Sequence, residues 1–261
     1  MLETARYEAS RRVRGTAVLT AALSLYVAFI AWYFTVLEGV DYDQMLESMP
    51  PALMDAFGIE TMATIEGFLG SQIYNFVWLL GLGLYFAYAG GGLVANDVER
   101  ERMDLLLSFP VSRSRLLVEK VAALLLPLVA LNVVVGVVTY ALVLAIGETI
   151  DPAHLALVHL LSIPYLLVCA AIGVVCSVLV DRAAVAERAA IGLVFALFLV
   201  ESVVGGASDF ERIQYVSPTY YYEPTPILID GAYDLVDTGV LLAIFAVLLL
   251  VGRLLFRRRD I

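Results

Sequence analysis

The sequence predicts an all-α integral membrane protein that crosses the bilayer six times and keeps both termini in the cytoplasm. The chain has 261 residues, 61% of them hydrophobic, and its mean hydropathy is +0.89. Soluble domains contain only about 45–50% apolar residues, so a bilayer is the expected solvent for this chain. The apolar residues form six long stretches, and the basic residues lie between alternate ones. We therefore expect one transmembrane domain over residues 1–261.

A helix needs about 20 mostly apolar residues to cross the hydrocarbon core. The predicted spans cover about 16–37, 71–95, 121–146, 154–180, 189–204 and 236–256. The fifth stretch is short. The boundaries of the last two are the least defined, because Glu201 and Asp237 lie near their outer ends.

The distribution of basic residues predicts the orientation, since short loops rich in Lys and Arg remain in the cytoplasm. Of the 16 Lys and Arg residues, all but Arg212 lie in the two termini and in the loops that follow the second and fourth spans. Residues 38–70 hold carboxylates without Lys or Arg. Residues 205–235 are rich in Tyr and Pro, which predicts an outer interfacial segment before the last span. We expect a multi-pass protein of the cell membrane.

The formal charge of −10 argues against a nucleic-acid partner, because no basic excess exists to neutralise phosphates. The amino-terminal segment is an exception to the acidic balance, with arginines at 6, 11, 12 and 14. We expect it to lie along the inner headgroups, where anionic lipid attracts basic residues. A simple topogenic signal is an equally good interpretation.

The stretch between the second and third spans begins with charges and then becomes apolar. Met103, Leu106 and Leu107 fall at i, i+3 and i+4, which predicts a short amphipathic cytoplasmic helix over about 97–109. Pro110 should end this helix, and Ser112 can cap the one that enters the third span. On the residues alone, an ordinary interfacial helix explains the pattern too.

This stretch resembles the first intracellular loop of the membrane permease subunits of type-2 ATP-binding-cassette (ABC) exporters. The pattern is Glu-Arg-Glu-Arg-x-Asp-Leu-Leu-Leu-Ser-x-Pro-Val-Ser-Arg over residues 99–113, followed by Lys120. The ending Phe-Arg-Arg-Arg-Asp-Ile over 256–261 and the six-span layout are similar to those of the family. One departure is Met103, where the family commonly has a glycine-threonine pair.

The resemblance implies a permease subunit that forms the translocation path of an exporter. It implies that the loop is a coupling helix on a separate nucleotide-binding ABC ATPase, and that a second permease copy or a paralogue completes the path. The coupling residues would be Glu99, Glu101, Arg102, Leu106, Leu107, Pro110 and Arg113. ATP and Mg would bind to the partner, so we expect no cofactor, metal or enzyme activity in this chain, which lacks a GxxxxGK[ST] loop.

Small and polar residues within the spans are the other candidates for function. Gly81 and Gly90 permit close helix approach, either for packing, with a dimer contact as one form of it, or as a hinge below the translocation path. Asn75 and Asn132 should face another helix or a cavity. Glu201 is either hydrated at the outer interface or a functional residue within the membrane. Two alternatives to an ABC permease remain open at this point.

The first alternative is a membrane-embedded enzyme, and the second is an ion-coupled secondary transporter. No HExxH, GxSxG or paired intramembrane aspartates support an enzyme. His154 and His159 are five residues apart, so they do not stack on one helical face as a zinc pair would. Internal repeats and broken helices, which are usual in secondary transporters, are not evident. Nothing in the spans predicts the cargo.

Overall fold

A computed structural model describes residues 3–37, 61–103, 111–204 and 211–259. Six helical segments are long and apolar enough to cross a membrane, which confirms the six-span prediction. They are the first span (Glu3–Val36), the second (Ile65–Glu99), the third (Arg113–Ala145), the fourth (Pro152–Leu179), the fifth (Ala183–Val204) and the sixth (Leu235–Arg258). The described part of the chain contains no β-strand.

The fourth span is the central helix of the bundle. In its most apolar window 78% of residues are buried by the rest of the chain, against 61% in the second span and 17% in the sixth. The second, fifth and sixth spans pack against the fourth, and the first lies mainly against the third. The outer helices therefore present apolar side chains to the surroundings, as spans that face lipid do.

Two glycines allow the second and fourth spans to cross closely. A Cβ at Gly90 would overlap the carbonyl of Ala170, and one at Gly173 would overlap the carbonyl of Ala87. A Cβ at Gly91 would lie 2.9 Å from the Glu187 Cα of the fifth span, which is also too close. The close contacts of Gly90 and Gly91 therefore lie within the chain. Gly81 is exposed and approaches only its own helix.

A serine strengthens the same crossing. The Ser177 hydroxyl oxygen of the fourth span accepts hydrogen bonds from the backbone N–H groups of Val94 and Ala95, both at 2.9 Å. Such side-chain bonds across helices are a common way of fixing membrane bundles.

The second span changes its helical geometry along its length. A short α-helix (Ile65–Leu69), capped by the Thr64 hydroxyl, leads into a π-helical segment (Gly70–Leu82) and then into a regular α-helix (Gly83–Glu99). A π-helix is usually a single turn, and it is frequent at functional sites. The sequence predicted only an ordinary span here, because hydropathy does not distinguish the two geometries.

The Tyr- and Pro-rich segment before the sixth span folds into the bundle. It forms a 3₁₀ turn (Pro218–Tyr221) and a short helix (Pro224–Asp230) that ends at Gly231, whose φ of +66° suits glycine. The buried Tyr222 hydroxyl donates to the Val158 carbonyl of the fourth span at 2.9 Å. Burial raises the pKa of Tyr222 well above its usual value, so this hydroxyl stays protonated and remains a donor.

The helices extend beyond the predicted spans at the end of the bundle that carries the basic residues. The first begins at Glu3, the third at Arg113 and the fifth at Ala183. The second continues to Glu99, and a turn follows in which Glu101 has φ +53°. Residues 97–99 therefore belong to the second span, which corrects the predicted start of the amphipathic helix. Hydropathy ends a span at the hydrocarbon edge, whereas paired charges allow the helix to continue.

Candidate functional site

The basic ends of the six spans meet at one end of the bundle, and a buried ion cluster lies among them. Lys120, the only lysine of the chain, is 2% exposed at the start of the third span. Its Nζ donates to Glu8 Oε1 of the first span at 2.9 Å and to the Asp97 carboxylate of the second span. A buried charge is stable only when it is paired in this way.

The same cluster reaches into the loop after the second span. Asp97 Oδ1 also accepts a bond from Arg102 at 2.8 Å. Lys120 and Asp97 are both nearly fully buried, whereas Arg102 is partly exposed. The loop is therefore joined through Asp97 to the first and third spans. A displacement of Arg102 would disturb three elements at once.

A second set of contacts joins the end of the second span to the fifth. Glu99 Oε2 accepts a hydrogen bond from the backbone N–H of Ala183 at 2.9 Å, at the first residue of the fifth span. Carboxylates are favourable at a helix N-terminus because its N–H groups have no partners inside the helix. One turn earlier, Asn96 donates to Glu187 Oε1 at 3.1 Å.

The carboxyl-terminal residues connect the remaining spans. The Arg259 guanidinium donates to the Val178 carbonyl at 2.8 Å, at the end of the fourth span, and pairs with the Asp181 carboxylate. A cation at the C-terminus of a helix is favourable for its free carbonyl groups. Arg113, at the start of the third span, donates to the Arg259 carbonyl.

A sequence model of the ABC-2 family transporter proteins matches residues 5–261, almost the whole chain. The chain belongs to the ABC-2 family of transporter proteins. It is therefore a multi-pass membrane permease of an ABC transporter, a component that in general works with an ABC ATPase subunit, and the resemblance drawn from the loop is confirmed. None of the curated proteins compared with the chain matches it.

The structure places three of the predicted coupling residues of this ABC-2 permease in these networks. They are Glu99, Arg102 and Arg113. Glu101 lies exposed in the turn. Leu106, Leu107 and Pro110 lie outside the described residues. Ser112 caps the third span as predicted, with its hydroxyl oxygen 3.4 Å from the Arg115 nitrogen.

The sequence did not reveal the carboxylates Glu8 and Asp97 as members of the ABC-2 permease's site. One signal for them existed: a single lysine just before an apolar span needs anionic partners if the helix continues through it. The packing of the first span against the second and third decides which carboxylates pair with the lysine. That packing cannot be predicted from any one segment of the sequence.

Five polar or aromatic residues of the second, third and fourth spans of the permease are joined by hydrogen bonds. Asn132 Oδ1 of the third span accepts from the Ser162 hydroxyl at 2.8 Å and faces His159 Nδ1 of the fourth at 3.2 Å. His159 Nε2 meets the Tyr74 hydroxyl at 3.1 Å, and Trp78 Nε1 donates to Ser162 at 3.1 Å. Tyr74 and Trp78 come from the π-helical segment. The network therefore holds that segment against two neighbouring helices.

The other intramembrane candidates also have neighbours. Asn75 donates to the Thr225 hydroxyl at 2.8 Å and so fastens the outer segment to the second span. Glu201, which is half-buried near the end of the fifth span, lies beside Thr219 and Glu223 of the outer segment. Of the five predicted residues in this group, all but Gly81 lie at contacts between elements.

Proposed function

We propose that this permease is the membrane subunit of an ABC exporter. A separate nucleotide-binding subunit hydrolyses ATP, and the basic end of the permease transmits the resulting movement of that subunit to the spans. In this proposal both termini and the loop around Arg102 lie in the cytoplasm of a cell with the protein in its plasma membrane. ATP and Mg bind to the partner. The chain itself forms half of the translocation path.

The observation that carries the proposal is the buried pairing of Lys120 with Glu8 and Asp97, together with the Asp97–Arg102 pair. A subunit that pushes on the loop acts on Arg102 and Glu99, and through them on the first, second, third and fifth spans. The contacts of Arg113 and Arg259 also link the third span to the fourth and sixth spans. Rigid connections of this kind are what a coupling element requires.

The contact with the ATPase is proposed to combine an apolar anchor with a charged rim. Leu106 and Leu107 form the anchor, because burying a leucine side chain contributes about 1.5–3 kcal/mol and a few such residues dominate an interface. Glu99, Glu101, Arg102 and Arg113 set the register, since exposed ion pairs contribute only about 0–1 kcal/mol each.

The test is copurification of the ATPase with the Leu106→Ser/Leu107→Ser variant, together with ATP turnover in its presence. We expect the variant to insert normally and to lose the ATPase or its coupling. Leu105→Ser is the control, because helical periodicity places it opposite that pair. If the double variant behaves like the wild type while a change within 181–188 abolishes both readouts, the coupling role belongs to the other loop.

A second permease copy or a close paralogue is proposed to complete the path, because six spans correspond to half of such a transporter. Crosslinking in native membranes should trap the pair. A strictly monomeric permease in lipid nanodiscs with the ATPase bound would contradict this part of the proposal.

A further inference from the structure

A cavity of about 530 Å³ opens at the basic end of the bundle, between the first, second and fifth spans. Five of its lining side chains are basic: Arg11, Arg12, Arg100, Arg102 and Lys120. It is large enough for a polar headgroup, and its lining is dominated by charged residues. Helix packing alone does not require so much open, charged space.

The carboxylates that line the cavity already have partners. Glu8 and Asp97 hold Lys120. Glu99 accepts the bond from the fifth span's first N–H group, and Glu187 accepts the bond from Asn96. Asp97 also pairs with Arg102, and the lining has five basic side chains against these four carboxylates.

The arginines of the lining are incompletely compensated. Among the residues that the structure describes, Arg11, Arg12 and Arg100 form no ion pair. The Nε atoms of Arg12 and Arg102 are buried and have no hydrogen-bond partner within the same residues. Buried polar atoms in proteins nearly always have a partner, and a bound water or ion is one that can serve these two nitrogens. Guanidinium groups are suited to phosphate.

We propose that this cavity is a binding site for a phosphate group, carried either by an anionic lipid headgroup or by a free phosphate compound. The depth of the site suits a headgroup, because Arg12 lies one helical turn before the apolar stretch that begins at Thr16. Tyr88 lines the cavity and is 46% exposed, as aromatic residues at the membrane interface are. In the proposed orientation this headgroup belongs to the cytoplasmic leaflet, and only that assignment rests on the proposed function.

The experiment compares two double variants of the full chain, purified in detergent, by native mass spectrometry with phosphatidylglycerol and with phosphatidylcholine. Arg11→Gln/Arg12→Gln removes two charges from the cavity. Arg6→Gln/Arg14→Gln removes two charges from the same helix outside it. We expect the wild type and the second variant to retain phosphatidylglycerol in preference to phosphatidylcholine. The first variant should bind it about 30-fold more weakly, as expected for two basic residues at an anionic surface.

Two further arms separate folding and ligand source. Arg11→Lys/Arg12→Lys keeps the charge and should recover most of the binding, which excludes a folding defect as the cause of the loss. Inorganic phosphate is then titrated against wild-type protein. Competition with phosphatidylglycerol and a raised melting temperature assign the site to free phosphate compounds, whereas no effect assigns it to lipid.

Equal losses in both glutamine variants would overturn the proposal, because they would show diffuse attraction by the whole amino-terminal segment. Wild-type binding in both would overturn it as well. The measurement contains no ATPase, so its failure is distinct from failure of the coupling proposal.

Discussion

Lys120→Met should destabilise the permease strongly, because it leaves two carboxylates at the end of the bundle without their common cation. Lys120 is 2% exposed, and the side chains of Glu8 and Asp97 are 12% and 6% exposed. Removing one partner of a buried ion pair costs about 3–5 kcal/mol. Arg102 still compensates Asp97, so we expect the lower end of that range, about 3 kcal/mol.

The Glu8→Gln/Lys120→Met variant tests whether charge is the cause. It removes one negative and one positive charge, so the remaining Asp97–Arg102 pair is balanced. We expect the double variant to be more stable than the sum of the single losses predicts, by about 0.5–3 kcal/mol, the range seen for residues in direct contact. Arg188→Met, at an exposed position outside the cluster, should change the free energy of unfolding by no more than about 0.5 kcal/mol.

The assay is thermal unfolding of the purified permease in detergent, followed by tryptophan fluorescence. A loss of about 3 kcal/mol corresponds to a decrease of about 6–12 °C in the melting temperature of a chain of this size. Permease-stimulated ATP turnover should decrease in Lys120→Met before the protein unfolds. The reasoning is refuted if Lys120→Met melts like Arg188→Met, or if the losses of Glu8→Gln and Lys120→Met simply add.

The packing of the spans and the proposed orientation give three further expected outcomes. Gly90→Val should prevent the close approach of the second and fourth spans and lower the yield of folded permease from membranes. Gly192→Val is the control and should leave the yield unchanged, because a Cβ at Gly192 has no neighbour within 4 Å. Equal yields of the two variants would contradict the prediction. Ser177→Ala should cost about 0.5–1.5 kcal/mol, since the second and fourth spans lose the hydrogen bonds between them, and an unchanged melting temperature would count against those bonds. A cysteine at Asp43 should be labelled from outside intact cells, and labelling only after permeabilisation would reverse the topology.

The number and order of the spans could be predicted because the bilayer imposes one requirement on every span, a run of apolar residues long enough to cross it. The loop after the second span was recognised for a different reason, its charged and apolar pattern. The helix ends could not be predicted in the same way. Lys120 marks the edge of an apolar stretch in the sequence, yet it lies inside a continuous helical segment because Glu8 and Asp97 neutralise it.

The partners of small and polar residues were the least predictable feature, because they depend on which helices become neighbours. Gly90 indicates a close contact, but only the packed bundle shows that Gly173 of the same chain supplies the other side. His159 and Asn132 are each unremarkable in sequence. Together with the π-helical segment they form one hydrogen-bonded unit.

The two polar networks of the permease differ in charge and in exposure. The intramembrane network around Asn132 and His159 is buried and contains no Asp, Glu, Lys or Arg, so it favours one fixed arrangement of three helices. The ion cluster around Lys120 borders an open cavity and includes the partly exposed Arg102, so an anion or a docked subunit can change its balance. A signal that begins at the loop would therefore alter the basic ends of the spans first. The central helices would move as a unit held by their hydrogen bonds.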